Sequence, residues 1–176
     1  MDTYANFIQY LFEQTQRPSY VEVGHGGVGG NVYWDKGKST ISYINTSDAI
    51  GNEPGKSGKY FSRARVKHKM SRLTRAAKSG KLDTPVISTP HPADPSKHIV
   101  LDGNHRLQAH RVANSARIPS HVLSHDDVHL IGSNNRTYSL SNFRSPNGSY
   151  DMDKQHPELG GLSLNHYFAH PKLHDK

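Results

Sequence analysis

The 176-residue chain contains no cysteine. That absence excludes disulfides, thiol nucleophiles and every Cys-based zinc motif. Apolar residues are also scarce, at 33% of the chain. A modest core and a good deal of loop are therefore expected in a chain whose length suits one domain. Nothing approaches the run of about 18 apolar residues that a membrane-spanning helix needs. The first residues, MDTYANFIQYLFEQ, place Asp2 where an export signal carries Lys or Arg, and no small-residue cleavage site follows. The expectation is a cytoplasmic protein with no membrane partner.

Acid is missing where cations concentrate. Residues 60–81, YFSRARVKHKMSRLTRAAKSGK, hold Arg63, Arg65, Lys67, Lys69, Arg72, Arg75, Lys78 and Lys81 and neither Asp nor Glu. The whole chain carries +7, so the rest has a slight negative balance. Ordinary exposed helices mix signs. A single-sign segment suits a phosphate-bearing partner, and these cations are candidates for nucleic-acid contact. The alternatives are a solvated basic helix, or a surface that steers an anion elsewhere.

What is present arranges itself as alternating short strands and helices. Tyr4, Phe7, Ile8, Leu11, Phe12 and Thr15 fall on one helical face, so residues 2–15 read as a helix ended by Pro18. SYVEVGHGGVGGNVYW reads as two strands around a Gly-rich connection, with a third strand near STISYIN. Residues 45–59 read as a polar loop. Val66, Met70, Leu73 and Ala77 give the basic segment one apolar stripe, hence a helix over about 60–79 with Gly80 as its stop. A strand is expected at 84–88, a three-proline loop or wide turn at 89–97 and a strand at 98–101. A helix should follow at 104–114 and a strand at 118–124. After Asp127 the pattern fades into a Gly/Ser/Asn/Pro-rich surface segment, with 162–168 as one last helix or strand.

The densest chemistry lies in VLDGNHRLQAHRVA, residues 100–113. A strand stops at Asp102-Gly103, and a helix opens through Asn104, His105 and Arg106. The first turn of a helix has amide groups without intrahelical partners, and its dipole favours an anion. Gly103 permits close backbone approach. Arg106 can fork onto phosphate oxygens, with His105 as a second donor. Asp102 fits a helix cap, a metal ligand or a proton acceptor. The plainer alternative is that Asp102 and Asn104 cap the helix and His105 and Arg106 are surface residues.

GKLDTPVI followed by HIVLDGNHRLQAHRVANSARIPSHVL resembles the core of the ParB/sulfiredoxin superfamily over about residues 60–127. The shared order is a helix with Gly near its end, a strand with Pro before it, and a second strand running into a Gly-x-x-Arg-type box. A helix and an Ile-Pro strand follow. The box here is Gly103-Asn104-His105-Arg106, close to the sulfiredoxin Gly-Cys-His-Arg box and to the Asp-Gly-x-His/Thr-Arg form of free-serine kinases and DGQHR-type proteins. The resemblance implies a nucleotide-phosphate cradle, with backbone N–H groups from Gly103 and Asn104 and side-chain donors from His105 and Arg106. Asn104 stands where sulfiredoxin has its Cys, so sulfinic-acid reduction by that route is ruled out. The roughly 50 residues after Asp127 lack the pattern of the helix-turn-helix domain of partition proteins.

Two glycine-rich segments and the histidines complete the inventory. GNEPGKSG at 51–58 has three residues where a P-loop needs four, and GHGGVGGNV at 24–32 has no helix after it. Among 13 histidines, the cluster His125, Asp126, Asp127 and His129 could join Asp102 in holding a divalent cation such as Mg2+.

The sequence thus predicts an α+β fold, one compact domain with a small mixed sheet and flanking helices. Residues 1–59 would be an N-terminal elaboration, 60–127 the core and 128–176 a loop-rich extension. The expected function is binding of a nucleotide, ATP or another, or of nucleic-acid phosphate. It could extend to metal-assisted phosphoryl transfer or phosphodiester hydrolysis, with Asp102, His105 and Arg106 catalytic. A non-catalytic DNA-binding module and an ATP-dependent small-molecule kinase are the alternatives.

Overall fold

A computed structural model describes residues 20–25, 31–35, 40–51, 64–134 and 136–169. The helix expected at 2–15, the glycine-rich connection at 26–30, most of the 51–58 glycine segment, and Arg63 lie outside these residues.

The fold is α+β, as expected. Its centre is a five-stranded mixed sheet in the order β3-β7-β5-β6-β4. The strands are β3 (Ile41–Asn45), β4 (Ala49–Gly51), β5 (Val86–His91), β6 (Asp94–Asp102) and β7 (Arg117–Val122). β3–β7 and β5–β6 pair antiparallel, whereas β5–β7 and β4–β6 pair parallel. Both faces of this sheet are covered, which is why Ile99-Val100-Leu101 reads as a continuous apolar run instead of an alternation. Val100 faces one core, with Ile44, Ala49, Val86, Leu107 and Ile118. Ile99 and Leu101 face the other, with Ile87 and Leu123.

Helix α2 (Asn104–Val112) covers the first face through Leu107, and α1 (Ala64–Lys78) packs on α2 from outside. The expected stripe of α1 points inward: Val66, Met70 and Leu73 are half-buried and Ala77 is buried. Gly80 ends the helix at φ 67, with Lys81 N–H donating to the Ala76 carbonyl at 2.8 Å and Gly80 N–H to Ala77 at 3.1 Å. This is the Schellman arrangement, in which only glycine adopts the left-handed residue without cost.

The second face is covered by the C-terminal quarter of the chain. β8 (His129–Ile131) and β9 (Thr137–Ser139) extend the hairpin of β1 (Tyr20–His25) and β2 (Asn31–Asp35) into a four-stranded sheet. A 3-10 turn at Leu140–Phe143 follows, then β10 (Gln155–His156), a second 3-10 turn at Pro157–Leu159, β11 (Leu162–Ser163) and α3 (Leu164–Ala169).

Three expectations are corrected. The 89–97 segment, expected as a loop or wide turn, is mostly strand: β5 and β6 form a hairpin whose turn is confined to Pro92-Ala93. Its other prolines are tolerated because Pro90 lies beyond the pairing with β7 and Pro95 beyond the pairing with β4, where each strand has a single neighbour. The polar loop at 45–59 contains β4, three residues recruited by parallel pairing with His98–Val100 and too short to show a period. Residues 132–161 are not a surface segment, since Leu140 and Leu159 are almost completely buried and Phe143 and Met152 are buried as well, whereas the helix or strand expected at 162–168 is there as β11 and α3. The apolar residues of 132–161 are spaced irregularly because turns carry them to the sheet, so no helical or strand period appears.

Candidate phosphate-binding site

Strand β6 delivers Asp102 to the sheet edge and Gly103 turns the chain into α2 at φ 95. Glycine is required here for two reasons. Its φ is left-handed, and a Cβ would fall 2.8 Å from Arg106 Nη2 and 2.9 Å from Val86 Cγ1. The Arg106 guanidinium occupies that space because it folds back along its own helix, with Nη2 donating to Asp102 Oδ2 at 3.1 Å. The Asp102 side chain is 48% exposed and that of Arg106 24%. The Arg106 Nε is buried and has no hydrogen-bond partner. The Asn104 carboxamide lies against β4, where a Cβ on Gly51 would come to 2.8 Å from its Oδ1. Gly51 is thus part of the box's surroundings, although nothing in the local sequence marked it.

His105 points a different way. It lines an open groove of about 1350 Å³ between α1 and the first turn of α2, together with His68, Lys69, Arg72, Arg75 and Lys81. Val66, Leu73, Ala76 and Ser79 also line it, and among the described lining residues there is no acid and no Phe, Tyr or Trp. The structure therefore joins the basic helix to His105 and holds Arg106 apart in its pair with Asp102. A second, smaller groove of about 540 Å³ runs along the other flank of α1, lined by Lys67, Arg75 and Lys78 with Ser71, Thr74 and Gln108. Lys67, His68, Lys69, Ser71, Arg72, Arg75 and Lys78 are all exposed. Arg65 belongs to α1, and its side chain is not described. His68 and Gln108 were missed by sequence reading. The angular position of His68 beside Arg72 and Arg75 is the signal that could have found it.

The metal candidates are placed otherwise. His125 is held by two hydrogen bonds, its Nε2 at 2.8 Å from the Pro90 carbonyl and its Nδ1 at 2.8 Å from the Tyr150 hydroxyl. Asp127 Oδ2 accepts from the Ser124 hydroxyl at 2.7 Å, and Asp126 is exposed. His129 sits within β8, opposite Tyr33 and Ser139. Among the described residues no three His, Asp or Glu side chains gather in a way that could hold a metal ion.

The perturbed titrations lie away from the groove lining. Burial holds His98, His110 and His156 below the ordinary histidine value, against the opposing effects of Asp48, the Leu82 backbone and Glu158 respectively. Burial does the same to His91, with Asp94 opposing. These are histidines kept neutral by packing, so they are not groups poised for proton transfer at the box.

No protein-family model matches the sequence, and no curated protein matches it either. Among solved structures the chain is similar to the C-terminally truncated chromosome-partitioning protein ParB from Caulobacter crescentus complexed with CTP-gamma-S. Identity there is 15% and the TM-score 0.39, over 50% of this chain and 46% of that one. The same ParB complexed to the centromeric parS site gives 17% identity and a TM-score of 0.36, over 49% of this chain and 40% of that one. Sulfiredoxin from Arabidopsis thaliana gives 14% identity and a TM-score of 0.36, over 48% of this chain and 85% of that one. The chain therefore spans less than half the length of the ParB chains it matches. Among the described residues no helix is long and apolar enough to cross a membrane.

Proposed function

We propose that this chain binds the phosphate backbone of a nucleic acid along the groove between α1 and the N-terminal turn of α2. One observation carries the reading: a groove of about 1350 Å³ lined by His68, Lys69, Arg72, Arg75, Lys81 and His105, with no acid among its described lining residues. Unopposed cations around an open channel attract polyanions, and displaced counterions supply the free energy. The groove is larger and more open than a small-molecule pocket, and among its described lining residues there is no Phe, Tyr or Trp to stack a base. A polymer backbone therefore suits it better than a single nucleotide.

The test is fluorescence anisotropy with labelled DNA and RNA oligonucleotides over a range of salt. The logarithm of affinity should fall linearly with the logarithm of salt, by about 0.9 for each duplex phosphate neutralised. The double variant Lys69→Ala/Arg72→Ala should flatten that slope by about 2 × 0.9. Arg136→Ala, an exposed cation of the C-terminal region, should leave it unchanged. No binding to any nucleic acid at low salt sinks the reading.

A second reading places a nucleotide and Mg2+ at the box for phosphoryl transfer or phosphodiester hydrolysis. In its favour, the Arg106 Nε is an unused donor and the Asp102 carboxylate is half exposed. A ligand phosphate could take over the guanidinium, freeing Asp102 to bind the ion or accept a proton. Isothermal titration with ATP and CTP, with and without Mg2+, should then give binding that Arg106→Ala removes. Turnover would disappear in Asp102→Asn. DNA consumed, or ATP consumed with a small hydroxylated acceptor, would distinguish a nuclease from a kinase.

A further inference from the structure

Helix α1 stands out from the molecule like a rail, with a groove along each flank. Its inner stripe, Val66, Met70, Leu73 and Ala77, rests on α2, and its outer side chains are exposed. Lys69 and Lys81 line one groove, Lys67 and Lys78 the other, and Arg75 lines both, which places it on the crest between them. His68, Ser71, Arg72 and Arg75 follow one another at i, i+3, i+4 and i+7, so they share the face opposite the stripe. Among the described residues neither groove has an acidic lining residue, and the first turn of α1 contains no acid.

Two parallel basic channels separated by one helix match the geometry of one nucleic-acid form. In B-form DNA the major groove is about 12 Å wide and bounded on each side by a phosphate backbone, and a helix with its side chains is about 10–12 Å across. We propose that α1 lies in the major groove of duplex DNA, with one backbone in each flanking channel. This rests on the nucleic-acid reading above and goes further by naming the form of nucleic acid and the element that enters it. Lysines, flexible point charges, line both flanks where phosphates would run, joined in the first groove by Arg72 and His68 at the edge of the crest. The crest carries arginine, serine and histidine, side chains that can reach base edges, and arginine can do so bidentately to guanine. Duplex RNA has a deep, narrow major groove that cannot admit the helix, and a single strand has only one backbone to offer.

The experiment compares the full chain on a 20-base-pair DNA duplex, the RNA duplex of the same sequence, and the single DNA strand, at matched salt. A DNA duplex containing 7-deazaguanine, which removes a major-groove acceptor without changing charge, is the fourth probe. Duplex DNA should bind at least ~10-fold more tightly than duplex RNA. The deazaguanine duplex should bind about 5-fold or more weakly than its parent. Lys67→Ala and Lys69→Ala, on opposite flanks, should each lower the salt slope by about 0.9. Equal affinity for the two duplexes, indifference to deazaguanine, or a slope change confined to one flank overturns the major-groove placement and leaves the backbone-binding reading standing. No binding to any of the four probes removes both. All these positions are exposed, and circular dichroism of each variant checks that it is folded.

Discussion

The two faces of the five-stranded sheet are built on opposite principles. Among the described residues the α2 face has the smaller core, Ile44, Ala49, Val86, Val100, Leu107 and Ile118, and above it α1 is mostly exposed and strongly basic. The opposite face carries the larger cluster, in which Leu130, Leu140, Leu164 and Tyr167 are buried to within 1%. Yet the first face is made of regular helix and the second largely of turns and two- or three-residue strands. Regularity of secondary structure is therefore no guide here to where the folding energy lies. The regular face displays charge, and the irregular face buries apolar area.

Substitutions can break this contrast, and the largest effect belongs on the irregular face. Leu130→Ala or Leu164→Ala, both 0% exposed, should cost about 2–5 kcal/mol through lost burial and a residual cavity. Urea titration measures it, and a cost no larger than that of a surface substitution would undo the contrast. Next comes Gly103→Ala on the box, where a left-handed φ of 95 and clashes with Arg106 and Val86 combine to cost about 1–3 kcal/mol. Nucleic-acid affinity measured on the folded fraction then reports whether the Asp102–Arg106 pair matters to binding.

Acid should act on both faces to an intermediate extent. His98 and His110 belong to the α2 side and His156 to the other, and burial lowers all three from the usual 6.5. A base with a lower pKa in the folded state takes up its proton more readily when unfolded. Stability should therefore be full above about pH 6.5 and decline as pH falls toward the folded-state values. The urea midpoint at pH 7.5 and 5.5 measures that decline, and His156→Gln should reduce it without abolishing it. The smallest effect on stability is expected on α1. Lys69→Ala/Arg72→Ala should shift unfolding by less than about 0.5 kcal/mol while weakening nucleic-acid binding more than any other pair named here.

Legibility in the sequence followed the same divide. The α1 stripe, the Gly80 stop, the strand into Asp102, and α2 were all readable, because each is long enough for a period or is closed by a residue with one backbone role. β4 and the hairpin at Pro92-Ala93 were not, since a three-residue strand has no period and proline in a strand depends on which neighbours it has. The core of residues 132–161 was invisible for the reason its chain is irregular: burial there is set by turns, and sequence spacing does not carry it. At the site, the basic helix and His105 were legible as separate features. Their meeting across one groove was not, because it depends on α1 packing on α2. The diversion of Arg106 to Asp102 was open to inference from their i, i+4 spacing.

The cover of the second sheet face also sets an order of events in synthesis. Chains emerge N-terminus first at about 5–20 residues per second, so β3 to β7 and both helices of the basic face leave the ribosome before residues 159–168. Until those last residues follow, Ile87, Ile99 and Leu101 lack Leu159, Leu164, Tyr167 and Phe168 from their cluster. A nascent chain stalled near residue 130 would carry the cations of α1 and leave the second face of the sheet uncovered. It would be a natural client for chaperones that recognise exposed apolar strands.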